Sequence, residues 1–184
     1  MRTLKPTTIL EIGSGNKTVS NYLKQHGFDV TTCDFDKDLA PDYVADIRKL
    51  PFENDSYDLV LACEVLEHLP WNEVDKALEE LHRVTKKYIV ISIPYSAISF
   101  EFLFIFRLPL LSKILEKSFI DIFFRIPYFS QNTRFNGEHY LQMGRKGYLI
   151  GKVRKILKKR FKIIKEVRCL LKSYYHFFVL RKIN

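Results

Sequence analysis

Cysteine is scarce in this sequence, and its three copies form neither a disulfide framework nor a metal-binding pattern. Cys33, Cys63 and Cys169 each fall inside an apolar run of a chain of 184 residues. An odd number of cysteines without ligand spacing is typical of buried free thiols in a reducing compartment. No motif in the sequence predicts a metal site.

The sequence also lacks a signal-peptide pattern and any long uninterrupted apolar run. Residues 95–137 are rich in aromatic side chains, but charged residues interrupt them every few positions, which excludes a membrane-spanning helix there. Hydrophobic residues make up 47% of the chain and charged residues 28%, a balance typical of a soluble globular protein. We expect one cytoplasmic domain over residues 1–184, with no transmembrane segment.

Acidic residues are nearly missing from the C-terminal part of the chain. From Arg145 onward, fourteen lysines and arginines face one acid, Glu166, and the whole chain carries a net charge of +9. Such a segment could track phosphate in RNA or at a membrane surface. However, Val153, Ile156 and Phe161 have the spacing of one helix face, which indicates an ordinary solvated helix. No nucleic-acid-binding module accompanies the charge, so nucleic acid is not the expected partner.

Strands and helices alternate along the first half of the chain. This alternation predicts a mostly parallel sheet with helices on both faces. The loop between the last two predicted strands is too short for a crossover helix, so these strands must be antiparallel neighbours. The predicted strands are residues 7–12, 28–33, 43–45, 57–63, 87–93, 161–169 and 174–180, and the predicted helices are 17–25, 72–84 and 145–160.

The aromatic-rich segment interrupts this alternation. Pro109 and Pro127 divide residues 95–137 into two or three short stretches, which we interpret as amphipathic helices. The segment returns to the fold at Glu138, His139 and Tyr140. We expect it to act as a lid over the substrate, although a second small core is an equally valid interpretation.

The most informative stretch is residues 9–15, an apolar run that ends in Glu11-Ile12-Gly13-Ser14-Gly15. A strand that stops at Gly-x-Gly lets the backbone approach a ligand that no Cβ would tolerate. Three segments follow at residues 30–34, 45–47 and 57–69, ending respectively in Asp34, in Asp46-Ile47 and in a Glu-His series. This ordered series resembles the class I S-adenosylmethionine-dependent methyltransferases, in particular the small branch called type 11.

The resemblance implies S-adenosyl-L-methionine as the cofactor. Gly13 and Gly15 would pass beneath its methionine part, and Asp34 is placed to accept the two ribose hydroxyls. The implied cofactor-binding residues are Glu11, Gly13, Gly15, Asp34, Phe35, Asp46, Ile47 and Glu64. The sequence departs from the family pattern at Lys17, where a third glycine often stands.

Methyl transfer is an in-line displacement, so the protein mainly has to hold the nucleophile and the methyl carbon in line. A base is needed only when the acceptor must lose a proton. His68 follows the fourth strand, beside the expected cofactor site. His139 and Tyr140 re-enter the fold on the substrate side. These three residues are the catalytic candidates.

The resemblance implies a Rossmann-like, doubly wound and mostly parallel sheet that ends in an antiparallel hairpin, with a helical aromatic-rich insertion after the fifth strand. The function it implies is methyl transfer to a small-molecule, lipid or saccharide acceptor. An apolar lid favours a lipid-linked acceptor and peripheral contact with a membrane. The alternative is a non-catalytic methyltransferase-like module that binds RNA or a membrane surface through its basic half.

Overall fold

The computed structural model describes residues 4–105, 119–132 and 139–183. These residues form two β-sheets and three α-helices. Short 3₁₀ turns occur at Lys37–Leu39 and Leu66–His68. The strands are β1 (Thr8–Ile12), β2 (Asp29–Asp34), β3 (Tyr43–Val44), β4 (Tyr57–Cys63), β5 (Thr85–Pro94), β6 (Ala97–Ile105), β7 (Phe119–Asn132), β8 (Arg145–Lys146), β9 (Phe161–Cys169) and β10 (Lys172–Lys182), and the helices are α1 (Thr18–Gln25), α2 (Trp71–Val84) and α3 (Ile150–Leu157).

The larger sheet has seven strands in the order β3-β2-β1-β4-β5-β10-β9. The first five strands of this order pair in parallel, whereas β10 runs antiparallel to both β5 and β9. The predicted doubly wound sheet with a terminal antiparallel hairpin is therefore confirmed. The strand order reverses between β1 and β4, and such switch points open a crevice at the carboxyl ends of the strands.

The core lies on both faces of the central strands. Leu10, Val60 and Ile91 are fully buried on one face, where α2 and α3 pack. Ile9 and Leu59 belong to a smaller cluster on the other face, against α1. A strand buried on both faces is apolar along nearly its whole length, and β4 accordingly has a nearly continuous run of hydrophobic residues. Burying one such side chain contributes about 1.5–3 kcal/mol relative to its exposure.

Helix α1 begins and ends with residues in the left-handed conformation. Gly27, with a φ of 81°, follows its last residues, and its N–H donates to the Lys24 carbonyl at 3.0 Å. This is the C-terminal ending predicted for Gly27. At the other end, Lys17 has a φ of 61°. A third glycine often stands at this position in the family. Here Lys17 adopts the left-handed conformation that a glycine would allow, at some cost in strain.

The predicted helices within residues 95–137 are wrong for the part that the structure describes. Strands β6 and β7 form an antiparallel hairpin instead, with Phe100 opposite Phe124 and Glu101 opposite Phe123. The reason is a period of two in the sequence, since apolar residues occupy alternate positions on both strands. Pro109 and Glu138 lie outside the described residues, and Pro127 sits at the end of the paired region, opposite Ala97.

Two smaller expectations also need correction. The helix predicted over residues 145–160 is confined to α3, because β8 and a turn at Gly147 precede it. Helix α2 begins at Trp71, one residue before the predicted Asn72. Of the three free cysteines, Cys33 is buried as expected, whereas Cys63 and Cys169 are half-buried.

The hairpin β6–β7 has one polar face against the larger sheet and one apolar face in solvent. Arg168 of β9 pairs with Glu101 and Asp121 on the inner face, and its guanidinium lies 3.9 Å from the centre of the Phe123 ring. We call the outer face the apolar hairpin face. Its side chains are between 40% and 58% exposed, and they are Ile98, Phe100, Phe102, Phe104, Ile120, Ile122, Phe124 and Ile126.

Candidate functional site

The loop after β1 lies at the switch point and depends on two glycines with positive φ. Gly13 has a φ of 73°, and a Cβ on it would lie 2.4 Å from Cγ2 of Val65. Gly15 has a φ of 47°, and a Cβ there would meet no atom within 4 Å. Gly13 is therefore needed for packing against the neighbouring loop. Gly15 leaves its backbone open to the crevice, as the Gly-x-Gly argument requires.

Asp34 ends β2 and is tied to this loop. Its Oδ2 accepts a hydrogen bond from the N–H of Gly15 at 3.2 Å, and its Oδ1 accepts one from the N–H of Asp36 at 3.2 Å. Asp34 is only 5% exposed. Because each carboxylate oxygen has a second lone pair, the group can still accept a hydrogen bond from a ligand.

A cavity of about 400 Å³ opens beside Gly15 and Asp34, a size typical of small-molecule and cofactor sites. Seven of the eight predicted cofactor-binding residues line it, namely Gly13, Gly15, Asp34, Phe35, Asp46, Ile47 and Glu64. The predicted catalytic residue His68 lines it as well. The lining residues that the sequence analysis missed are Ile12, Leu39, Ala45, Arg48, Val65 and Leu69.

Asp46 is committed to an ion pair that the sequence did not predict. Nε of Arg48 donates to Oδ1 of Asp46 at 2.9 Å, and Nη1 of Arg48 donates to Glu73 at 2.9 Å. These bonds hold the pKa of Asp46 below its ordinary value. Asp46 keeps its place at the cavity, but the carboxylate presented there is partly neutralised by Arg48. No sequence signal distinguished this arginine from other surface arginines.

Glu11 faces a second cavity, of about 240 Å³, on the other side of the glycine loop. Its Oε2 and the hydroxyl of Ser14 are buried without a hydrogen-bond partner. Burial raises the pKa of Glu11 above its ordinary value. Buried polar groups in native proteins are nearly always satisfied, so these two atoms indicate a place for a polar ligand group.

Glu64 and Glu67 follow β4, three positions apart. The hydroxyl of Ser92 donates to Oε1 of Glu64 at 2.6 Å, and Glu64 has a φ of 54°. Glu67 is fully buried, and neither of its carboxylate oxygens has a hydrogen-bond partner. Burial, together with the charge of Glu64, raises the pKa of Glu67 well above its ordinary value.

The three catalytic candidates lie together. The rings of His68 and His139 meet edge to face, with centroids 5.0 Å apart. The backbone N–H of Tyr140 donates to the carbonyl of Glu67 at 2.6 Å, which ties the returning chain to the 3₁₀ turn. His68 lines the larger cavity, whereas His139 and Tyr140 are not among its lining residues. Residues more than 70 positions apart thus meet at one edge of the site.

The aromatic segment was expected to cover this site as a lid. None of the described residues of β6 and β7 lines the larger cavity. The described part of the hairpin is linked to the cavity only through other residues. The hydroxyl of Ser96, which precedes β6, donates to Gln142 at 3.1 Å, Gln142 contacts His139, and His139 packs on the cavity-lining His68. The lid therefore stays a prediction, and residues 106–118 and 133–137 lie outside the described part of the chain.

The residues present fit a nucleoside-containing cofactor with a charged amino-acid end. Asp34 offers an acceptor for sugar hydroxyls, and Gly15 offers an uncovered backbone. Glu11 and Ser14 offer unpartnered oxygens to an ammonium group on the far side of the loop. Apolar residues such as Leu39 and Ile47 supply walls for a flat ring.

Comparison with known proteins agrees with this fit. Residues 10–91 match the model of the methyltransferase-domain family. No curated protein matches the chain. The matched segment runs from β1 into β5, so it contains the glycine loop, Asp34, Asp46 and the Glu-His series, and leaves out the hairpin β6–β7.

Solved structures share the fold over nearly the whole chain at low sequence identity. A 1,6-didemethyltoxoflavin N1-methyltransferase from Burkholderia thailandensis, solved with S-adenosylhomocysteine, has a TM-score of 0.65 at 13% identity, covering 100% of this chain and 74% of its own. A magnesium protoporphyrin IX methyltransferase from Synechocystis PCC 6803, also solved with S-adenosylhomocysteine, has a TM-score of 0.63 at 17% identity, covering 99% and 77%. The N-methyltransferase NodS from Bradyrhizobium japonicum has a TM-score of 0.60 at 12% identity, covering 97% and 79%.

Proposed function

We propose that this chain is a class I S-adenosylmethionine-dependent methyltransferase and that it transfers the methyl group to an amphiphilic, lipid-linked acceptor at a membrane surface. The observation that carries the transferase part is the bond between Asp34 and Gly15 at the rim of the larger cavity. The observation that carries the acceptor class is the apolar hairpin face, which Ser96, Gln142 and His139 connect to the cavity-lining His68.

The roles of the cofactor-binding residues follow from their positions. Asp34 would accept the ribose hydroxyls, and Gly15 would let the ligand pass close to the backbone. Phe35, which is 81% exposed at the cavity, would lie against the adenine. Asp46 and Ile47 would bound the adenine edge, with Arg48 holding the Asp46 carboxylate in place. Glu11, in the second cavity, would meet the amino group, and Glu64 would face the mouth of the larger cavity.

S-adenosylmethionine, when bound, would supply a methyl carbon on a positively charged sulfur that can leave as a neutral thioether. The chain's own task is to orient the acceptor and exclude water. For a hydroxyl acceptor, His139 takes the proton, with His68 and Tyr140 positioning the acceptor beside it.

The acceptor class rests on the surface of the hairpin. Eight large apolar side chains on one face of two strands are more than a water-exposed surface commonly presents, and such patches mark interaction sites. The net charge of +9 favours an anionic lipid surface over a neutral one. In the described part of the chain, no helix is long and apolar enough to cross a membrane. The apolar hairpin face would make the contact by lying on the membrane surface.

Calorimetry with S-adenosylmethionine and S-adenosylhomocysteine tests the transferase part. We expect one binding site with micromolar affinity. Absence of heat and of a thermal shift at millimolar ligand would overturn this proposal and leave the non-catalytic alternative. His139→Ala should then slow transfer strongly with any acceptor found, while cofactor affinity stays within about threefold, because the residue acts on the acceptor side.

Sedimentation with lipid vesicles tests the acceptor class. The wild type should bind vesicles that contain phosphatidylglycerol, and binding should fall when Phe100→Ser and Phe124→Ser are combined. Tyr22→Ser on α1, where the side chain is 58% exposed, is the matched control. Equal binding by the double variant and the control would remove the membrane surface from the proposal. A dimer in solution that the double variant abolishes would instead assign the face to a second copy of the chain.

A further inference from the structure

The 3₁₀ turn after β4 and the segment that returns to the fold at residue 139 bring together two imidazoles and one carboxylate. Ligand atoms of Glu67, His68 and His139 all lie within 4.8 Å of one another. We call these residues the Glu-His-His cluster. It spans 72 positions of sequence, so no motif could have predicted it. We propose that the Glu-His-His cluster binds a divalent transition-metal ion at the acceptor side of the cavity.

The carboxylate is the strongest argument for a ligand here. Glu67 is fully buried, and when it is ionised neither of its side-chain oxygens has a hydrogen-bond donor. The carboxylate of Glu64 can accept a hydrogen bond from Glu67 only when Glu67 is protonated. An ionised and buried carboxylate beside a second one is costly, and a cation that belongs to the site would explain it. A cation held by Glu67 and two imidazoles would satisfy both oxygens and compensate their charge.

Backbone hydrogen bonds hold the cluster together, so it does not depend on a chance contact between long side chains. The N–H groups of Tyr140 and Leu141 both donate to the carbonyl of Glu67, at 2.6 and 3.2 Å. These two bonds fix His139 next to the turn that carries Glu67 and His68. Around a metal with bonds of about 2.0–2.2 Å, ligand atoms lie roughly 3.4 Å apart. Small side-chain rotations close the present spacing to that value.

His139 also has a neighbour suited to orienting a metal ligand. Its Nδ1 lies 3.4 Å from the amide nitrogen of Gln142, whose oxygen accepts from the hydroxyl of Ser96 at 3.1 Å. A half-turn of this amide exchanges its oxygen and nitrogen without moving either neighbour. The Gln142 oxygen would then accept from Nδ1–H, and the lone pair of His139 would lie on Nε2. Metal-bound histidines usually have such a partner on the second nitrogen.

The donor set decides the class of ion. Two imidazoles with one carboxylate suit zinc, iron, cobalt or nickel, whereas magnesium and calcium prefer oxygen ligands alone. Three protein ligands leave a position open for another molecule. Because His68 lines the cavity, that position faces the acceptor, and an acceptor oxygen bound there would be held and polarised. With the ion bound, the lone pair of His139 is on the metal, so His139 cannot also take the proton. The bound hydroxyl, made more acidic by the ion, would then release its proton to solvent. This last step, unlike metal binding itself, rests on the proposed function.

Titration of the EDTA-treated full chain with Zn²⁺ and Co²⁺, without S-adenosylmethionine, tests the proposal. We expect one ion per chain by calorimetry and a visible absorption band for Co²⁺. Glu67→Gln and His139→Ala should each weaken Zn²⁺ binding at least tenfold. The matched control is His26→Ala, which removes an exposed histidine from the end of α1 and should leave binding unchanged.

Two results would overturn the metal site. One is the absence of Zn²⁺ and Co²⁺ binding to wild-type protein that is folded by circular dichroism. The other is Zn²⁺ affinity that is unaltered in both Glu67→Gln and His139→Ala. The proposed function fails on a different measurement, because loss of S-adenosylmethionine binding would leave the Zn²⁺ titration as it is.

Discussion

The carboxylate of Asp34 and the backbone N–H of Gly15 meet at 3.2 Å, and this bond joins the end of β2 to the glycine loop after β1. The two residues come from neighbouring parallel strands whose carboxyl ends lie side by side. The same carboxylate that stabilises the loop is therefore the one that lines the cavity. A change at Asp34 should affect both the shape of the loop and the ligand that it holds.

Asp34→Ala should weaken binding of S-adenosylhomocysteine far more than Asp36→Ala does. Loss of an acceptor shared by two hydroxyls costs on the order of 1.5–3 kcal/mol, or more than tenfold in affinity. Asp36 is the matched control, because its side chain only accepts from the N–H of Asp38 at 2.9 Å. Calorimetry on the two variants makes the comparison. Equal affinities would mean that Asp34 does not contact the cofactor.

The two glycines of the loop should respond differently to alanine. Gly13→Ala puts a Cβ 2.4 Å from Val65, so it should lower the free energy of unfolding by about 2–3 kcal/mol. Combining it with Val65→Ala should recover part of that loss. Gly15→Ala meets no atom and should cost about 1 kcal/mol in stability, yet weaken cofactor binding at least tenfold. Urea unfolding and calorimetry separate the two effects, and the reverse order would contradict the assignment.

Arg168 should be the residue that holds the hairpin β6–β7 on the larger sheet. Arg168→Ala leaves Glu101 and Asp121 without their common partner, and we expect a loss of about 2–4 kcal/mol. Arg154→Ala breaks the more exposed pair with Glu166 and should cost less than about 1 kcal/mol. Hydrogen exchange should show faster opening of β6 in the first variant only. Similar exchange in both variants would count against this role of Arg168.

Glu67→Gln should stabilise the metal-free protein at neutral pH. Because the pKa of Glu67 is raised in the folded state, the folded protein binds more protons than the unfolded one above pH 4.5. Wild-type stability therefore falls as the pH rises from that value towards the folded pKa. Glutamine removes this loss, so the melting temperature should rise by about 2–8 °C at pH 8 and by little at pH 4.5. An equal shift at both pH values would argue against a titrating Glu67.

The sequence predicted the central strand β4 closely, because a strand buried on both faces is a nearly continuous apolar run. Strand β4 covers the predicted residues 57–63. The edge strand β9 also has its predicted bounds, 161–169, although it carries four charged residues. The predicted helices overlooked the hairpin β6–β7, because bulky aromatic residues and prolines are compatible with short helices as well as with strands. The alternation of Phe100, Phe102 and Phe104 with Ser99 and Glu101 is the stronger local signal.

By itself, the sequence determined the order of the strands along the chain, the Gly-x-Gly turn at the end of β1 and the carboxylate at the end of β2. These are local features, set by hydrophobic period and by the conformations that glycine allows.

The tertiary structure decided which other residues those features contact. The pairing of Arg48 with Asp46, the bond of Asp34 to Gly15 and the meeting of Glu67 with His139 depend on strand order and on backbone bonds between segments far apart in sequence. Such contacts have no period and no fixed spacing, so only the folded chain brings them together.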